Sequence, residues 1–98
     1  MTIEESVKPF SKLPVTMIED LSINATTMGV YATLAKFSDN DTRKCFPSRK
    51  TIASYCGMSN NTLSRHLKIL ADSGYVKIER RFTKEQGSVS NLYTLVEV

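Results

Sequence analysis

At 98 residues the chain has the length of one domain, and its 41% hydrophobic residues can supply one small core. No apolar run approaches the roughly 18 residues that a membrane span needs, so no membrane partner is expected and a cytoplasmic location is the default. The early acids and the short apolar runs of residues 1–13 argue against a signal peptide. Net charge is only +3, but it is unevenly spread: residues 1–41 carry three basic and six acidic side chains, whereas residues 42–90 carry ten basic and three acidic. A polyanion partner for the second half is the natural expectation.

Residues 1–11 are expected to be a flexible N-terminal arm, and residues 12–98 one folded domain. KLPVTMI, over 12–18, is β-prone and predicts a short strand, confined to a sheet edge by Pro14. Asp20 to Asn24 reads as a turn. A helix follows from Asn24-Ala25 to about Phe37, with Met28, Tyr31, Ala32, Leu34 and Ala35 at the three-to-four spacing of a core-facing stripe. SDNDTRK is then a polar loop rich in turn formers.

Phe46-Pro47-Ser48 restarts the chain as a helix, with Ser48 as its N-cap. Ile52, Ala53 and Cys56 form its inward side, and Gly57 ends it where a left-handed backbone is needed. Ser59 caps a further helix in which Leu63, Leu67 and Leu70 repeat at i, i+4 and i+7, and Gly74 stops it. Two short helices about a tight turn make a helix-turn-helix. From Tyr75 the period changes to two: Tyr75, Lys77, Glu79 and Arg81 alternate with Val76, Ile78 and Arg80, and Phe82 follows. TKEQGSVS, over 83–90, reads as a polar loop, and residues 91–98 alternate again through Leu92, Thr94 and Val96. The fold class expected is therefore α+β: a winged helix-turn-helix of three helices, a C-terminal β-hairpin wing and a short N-terminal strand.

Ala53, Gly57 and Leu63 stand at the gaps of four and six that mark the helix-turn-helix motif. Together with "GVYATLAKFSD", "CFPSRKTIASYCGMSNNTLSRHLKILADSGYVKIERR" and "SNLYTL", they make the chain similar to the winged helix domains of phage and plasmid replication proteins and of small bacterial regulators. The resemblance covers roughly residues 12–96. One departure is His66, where many such proteins place an aliphatic residue and where Leu67 takes the inward position instead.

In a helix-turn-helix the second helix lies in the DNA major groove with its first turns toward the bases. Here those turns carry Ser59, Asn60, Asn61, Thr62, Ser64, Arg65 and Lys68. Asparagine pairs with an adenine edge and arginine with guanine, so Arg65, Asn60 and Asn61 are the candidate base readers. Thr62 and Ser64 suit phosphate oxygens or thymine methyls. Ser48, Arg49 and Lys50 open the preceding helix, where free amides and the positive dipole end favour a phosphate. Arg80, Arg81 and Lys84 flank the wing and could reach an adjacent minor groove or its phosphates. For each set the bland alternative is an ordinary solvated surface.

Cys45 and Cys56 lie eleven residues apart without a second pair, so neither a zinc motif nor a disulfide framework is suggested. Cys56 falls on an apolar face and is expected in the core, and Cys45 nearer the surface, where a thiol is open to redox chemistry. His66, the single histidine, is expected to pack or to meet a phosphate rather than to hold a metal. No nucleophile–histidine–acid set, phosphate loop or nucleotide fingerprint is present, so no enzyme activity, metal or cofactor is expected. The function expected is sequence-specific binding of double-stranded DNA, in transcription regulation or in plasmid or phage replication or partition. One such domain buries little DNA surface, so a homodimer on adjacent half-sites is expected. A different class, a winged helix that docks a replication or partition protein, is the alternative.

Overall fold

The computed structural model describes residues 13–85 and 87–96. The arm expected over residues 1–11 lies outside them. In chain order the elements are α1 (Val15–Glu19), α2 (Ala25–Phe37), β1 (Lys44–Cys45), α3 (Arg49–Cys56), α4 (Asn60–Asp72), β2 (Val76–Thr83) and β3 (Gly87–Leu95). The strands form one antiparallel sheet in the order β1-β3-β2. α2 packs on α3 and α4, and α4 leans on β2. The chain is thus an α+β winged helix-turn-helix.

The core draws on every layer. Val30, Tyr31 and Leu34 come from α2, Ile52 from α3, and Leu63, Leu67 and Leu70 from α4, while Val76, Tyr93 and Leu95 face them from the sheet and Tyr75 from just before it. The α4 seam is the one its leucine spacing predicts. The stripe of α2 is rotated slightly: Thr27 and Val30 are fully buried, whereas Met28, Ala32 and Ala35 are only partly so. Thr27 is tolerated there because its Oγ1 shares a 2.8 Å hydrogen bond with His66 Nδ1. His66 is therefore a packing residue that ties α2 to α4.

Three expectations need correction. Residues 15–19 are a helical turn, not an edge strand. Pro14 sits at the N-cap with φ −59 and ψ 137, and its carbonyl accepts from the amides of Met17 and Ile18. Only Met17 turns into the core, so the alternation of a half-buried strand is absent. Lys44 and Cys45, expected in a loop, instead pair with Thr94 and Tyr93 of β3. Two residues show no period of their own, so this pairing follows from the edge that β3 offers. Finally, the wing is longer than its alternation suggests. β3 begins at Gly87 (φ 68) and pairs it with Thr83, well inside the loop expected over 83–90. A register shift between Glu79 and Arg81 absorbs the irregular pairing.

Cys45 departs from expectation, whereas Cys56 packs against the core as expected. Cys45 is buried, with its thiol donating to the Leu34 carbonyl at 3.4 Å, while Cys56 is only half-buried beside Thr33. Burial pushes the Cys45 thiol up to about 11 from an ordinary 9.0. The folded chain thus favours the protonated thiol. Its contribution to stability is intact below pH 9 and is lost as pH climbs toward 11. Urea midpoints measured across that window should fall more steeply for the native chain than for Cys45→Ala.

Between α3 and α4, Gly57 adopts φ 65 and ψ 39. A Cβ there would meet nothing within 4 Å, so the need for glycine is purely one of backbone conformation. Gly57→Ala should cost about 1–2 kcal/mol in denaturant melts. Gly57→Asn should cost less, because asparagine tolerates the left-handed region.

Candidate nucleic-acid interface

α3 and α4 start in the same way. The Ser48 hydroxyl accepts from the Thr51 amide at 3.1 Å and donates to Thr51 Oγ1 at 2.9 Å. The Ser59 hydroxyl accepts from the Thr62 amide at 3.2 Å and donates to Thr62 Oγ1 at 3.1 Å. Each serine thus satisfies one orphan amide of its helix and leaves the remaining first-turn amides open at the positive end of the dipole. Left-handed Gly57 turns the chain between them, and the Met58 amide donates back to the Ala53 carbonyl at 3.1 Å. Ala53, buried at the junction, lets the helices approach closely.

Past Ser59 the amphipathic pattern of α4 decides what faces out. Leu63, Leu67 and Leu70 point inward, so Asn60, Asn61, Ser64, Arg65 and Lys68 are exposed. They are not equivalent. Asn61 and Arg65 have no bonded partner among the described residues. Lys68 pairs with Asp72 at 2.9 Å, but both side chains are well exposed. Such an i, i+4 pair is worth only about 0.3–0.5 kcal/mol, so the ammonium is easily released to a stronger anion. Asn60 and Ser64 are held. Arg49 reaches across from α3, donating from Nε to Asn60 Oδ1 at 2.7 Å and from Nη2 to the Asn60 carbonyl at 3.1 Å and to Ser64 Oγ. The amide of Asn60 is thereby oriented before any ligand arrives, and Arg49, read from the sequence as a phosphate contact, is a clamp between the two helices.

The same clamp borders a groove. Arg49, Asn60 and Ser64 line one wall, and Arg80, Val89, Ser90 and Asn91 of the wing the other. The last three were not singled out in the sequence, because residues 83–90 read as a loop and Asn91 as a strand start. Burial pushes the nearby Tyr93 phenol up. A second, shallower hollow runs along the outer side of the motif from Arg49, Lys50 and Ser54 to Met58, Ser59 and Asn60. Lys50 is exposed beside it with no bonded partner among the described residues. Of the three wing cations, Arg80 faces the groove and Lys84 stands at the hairpin tip. Arg81 turns away, with its guanidinium 4.8 Å from the centre of the Phe46 ring and donating to the Ser90 carbonyl at 3.2 Å. Successive residues of β2 point to opposite faces of the sheet, which puts the two arginines on different sides.

The family described as "Helix-turn-helix domain" matches residues 21–76, which span the motif and the helix that packs behind it. The chain belongs to this family. Two solved structures share the whole winged fold of this helix-turn-helix protein. One is described as "Structure of Rep-DNA complex", with a TM-score of 0.66 and 17% identity, covering 100% of this chain and 84% of that chain. The other is described as "N-Terminal domain of DNA binding protein", with a TM-score of 0.67 and 17% identity, covering 100% of this chain and 83% of that chain. No curated protein sequence matches. Among the described residues no three of His, Cys, Asp or Glu gather as a metal site, and no helix is long and apolar enough to cross a membrane.

The clamp is testable without any ligand. Lysine offers a point charge in place of a planar fork and cannot bridge Asn60 and Ser64 together. Arg49→Lys should therefore lose the clamp as fully as Arg49→Ala does. Each should cost about 1 kcal/mol of stability in thermal melts, since these bonds are exposed. In both variants the Asn60 side-chain amide should lose its distinct NMR shift.

Proposed function

We propose that this winged helix-turn-helix protein binds double-stranded DNA sequence-specifically, with α4 in the major groove. The observation that carries the reading is the pair Asn61 and Arg65, exposed on the first turns of α4 without a bonded partner among the described residues, beside a groove flanked by Arg49 and Arg80. Arg65 and Asn61 are the free base readers, and Asn60 reads from a geometry pre-set by Arg49. Lys50, Lys68 and the open amides at Ser48 and Ser59 take phosphates, with the hydroxyls of Thr62 and Ser64 alongside. Arg80 and Lys84 bring the wing to the flanking backbone. The surplus of cations over residues 42–90 supports the same face. The role is one of occupancy rather than catalysis.

Among transcription regulation, replication and partition, the likeness to the fold of a Rep-DNA complex supports a replication role. Two copies on adjacent half-sites would supply the area that one domain lacks. The alternative, a module that docks a replication or partition protein, is favoured by one observation: Val15, Ile18 and Leu21 are exposed together around α1, Leu21 fully. That reading predicts no salt-dependent DNA affinity.

Affinity for selected duplexes, measured against salt, distinguishes the two. Duplex binding should weaken steeply, with a slope of about −0.9 per phosphate neutralised. Arg65→Ala should cost about 1–3 kcal/mol at the preferred sequence and flatten the preference among sequences. Lys50→Ala should weaken all duplexes alike and reduce the salt slope by about one. Unchanged binding by both variants would remove these faces from the interface.

A further inference from the structure

An aromatic surface lies beside the helix-turn-helix and is not used by the duplex-reading face. Tyr55 of α3, 58% exposed, meets Phe37 at the end of α2 edge-on, with ring centres 5.3 Å apart. The Lys36 ammonium lies over both rings, at 5.0 and 5.4 Å. Phe37 and Phe46 line one shallow cleft together with Lys44 and Asp39. Phe46 is 61% exposed and carries the Arg81 guanidinium at 4.8 Å. Rings and cations thus alternate from α3 across the end of α2 to the wing.

We propose that this strip binds single-stranded nucleic acid by stacking unpaired bases on Phe46 and Tyr55. Every base has a flat face, and stacking it on an aromatic ring outweighs the contact of an exposed ammonium with that ring. A base can therefore displace Lys36, whose charge is then free for the phosphate that arrives with it. Arg81 plays the matching part at Phe46, holding one side of the ring while most of it stays open. Three cations flank the strip against the one acid of the cleft, Asp39. A peptide partner is less well matched: the large exposed aliphatic side chains of the described residues, Val15, Ile18 and Leu21, lie on α1 and the turn after it, and the strip offers rings and charge instead. Phe46 also precedes the α3 cap by two residues.

The proposal is separate from the duplex reading, and a comparison of two probes keeps them apart. The full chain is titrated by fluorescence anisotropy with a labelled oligothymidylate of about twelve nucleotides, within the range of small single-strand grooves, and with a labelled duplex. Oligothymidylate should bind. Phe46→Ala and Phe46→Leu should each weaken it about tenfold, Phe46→Tyr should preserve it, and Arg65→Ala should leave it unchanged. The leucine variant keeps an apolar side chain but removes the flat face, so its loss reports stacking, and its retained duplex binding reports an intact fold. No binding of oligothymidylate by the native chain would overturn the proposal. So would native-like affinity in Phe46→Leu, or a loss in Arg65→Ala as large as that in Phe46→Leu.

Discussion

The geometry of the molecule depends on the junction between α3 and α4. Helices of 8 and 13 residues are marginal on their own in water. What holds them is a shared apolar floor: Ile52 and Ala53 on one side, Leu63, Leu67 and Leu70 on the other, all packed against α2 and the sheet. That floor fixes which faces turn inward but not the angle between the helices. The angle is set by the left-handed Gly57 and by two serine caps that terminate and restart the hydrogen-bond ladder within a few residues. Once it is set, the polar first turn of α4 has no inward partner to find and must face solvent.

Arg49 adds a second constraint on top of the first. A cation at the N-terminus of a helix is placed against the dipole, so its position is not one that helix stability favours. It is offset by bonds across the junction to Asn60 and Ser64, which lock two helices through one planar fork. The consequence is functional as well as structural: the first turn of α4 divides into residues already oriented, Asn60 and Ser64, and residues still free, Asn61 and Arg65. The wing completes the enclosure, since the alternation of β2 sends Arg80 to the groove and Arg81 to Phe46. Two successive residues of one strand thus distribute positive charge between two surfaces with different chemistries.

Much of this was legible in the residues themselves. The leucine seam of α4, the caps at Ser48 and Ser59, and the glycine between α3 and α4 are local signals. Each depends on a side chain meeting its own backbone or on a repeat along one helix, and the structure matches them nearly residue for residue. The misplaced elements share a different property. KLPVTMI is β-prone by composition, yet Pro14 serves as a cap and only Met17 has a core to enter. Lys44-Cys45 carries no period and becomes a strand because β3 lies alongside. Cys45 sits in a polar neighbourhood of sequence and is nonetheless buried, because that same pairing draws it under the sheet.

By itself, the sequence determined the class of fold, the polar and apolar faces of the two motif helices, and the concentration of cations on the second half of the chain. Periodicity and capping are properties of neighbours along the chain, so they need no knowledge of what lies across it. The tertiary structure alone decided which polar residues are already engaged, where the wing arginines diverge, and that Phe37, Phe46 and Tyr55 share one surface. Those facts depend on contacts between segments nine or more residues apart, as with Arg49 and Asn60 or Arg81 and Ser90. Such contacts leave no spacing in the sequence, because what creates them is packing of the intervening chain.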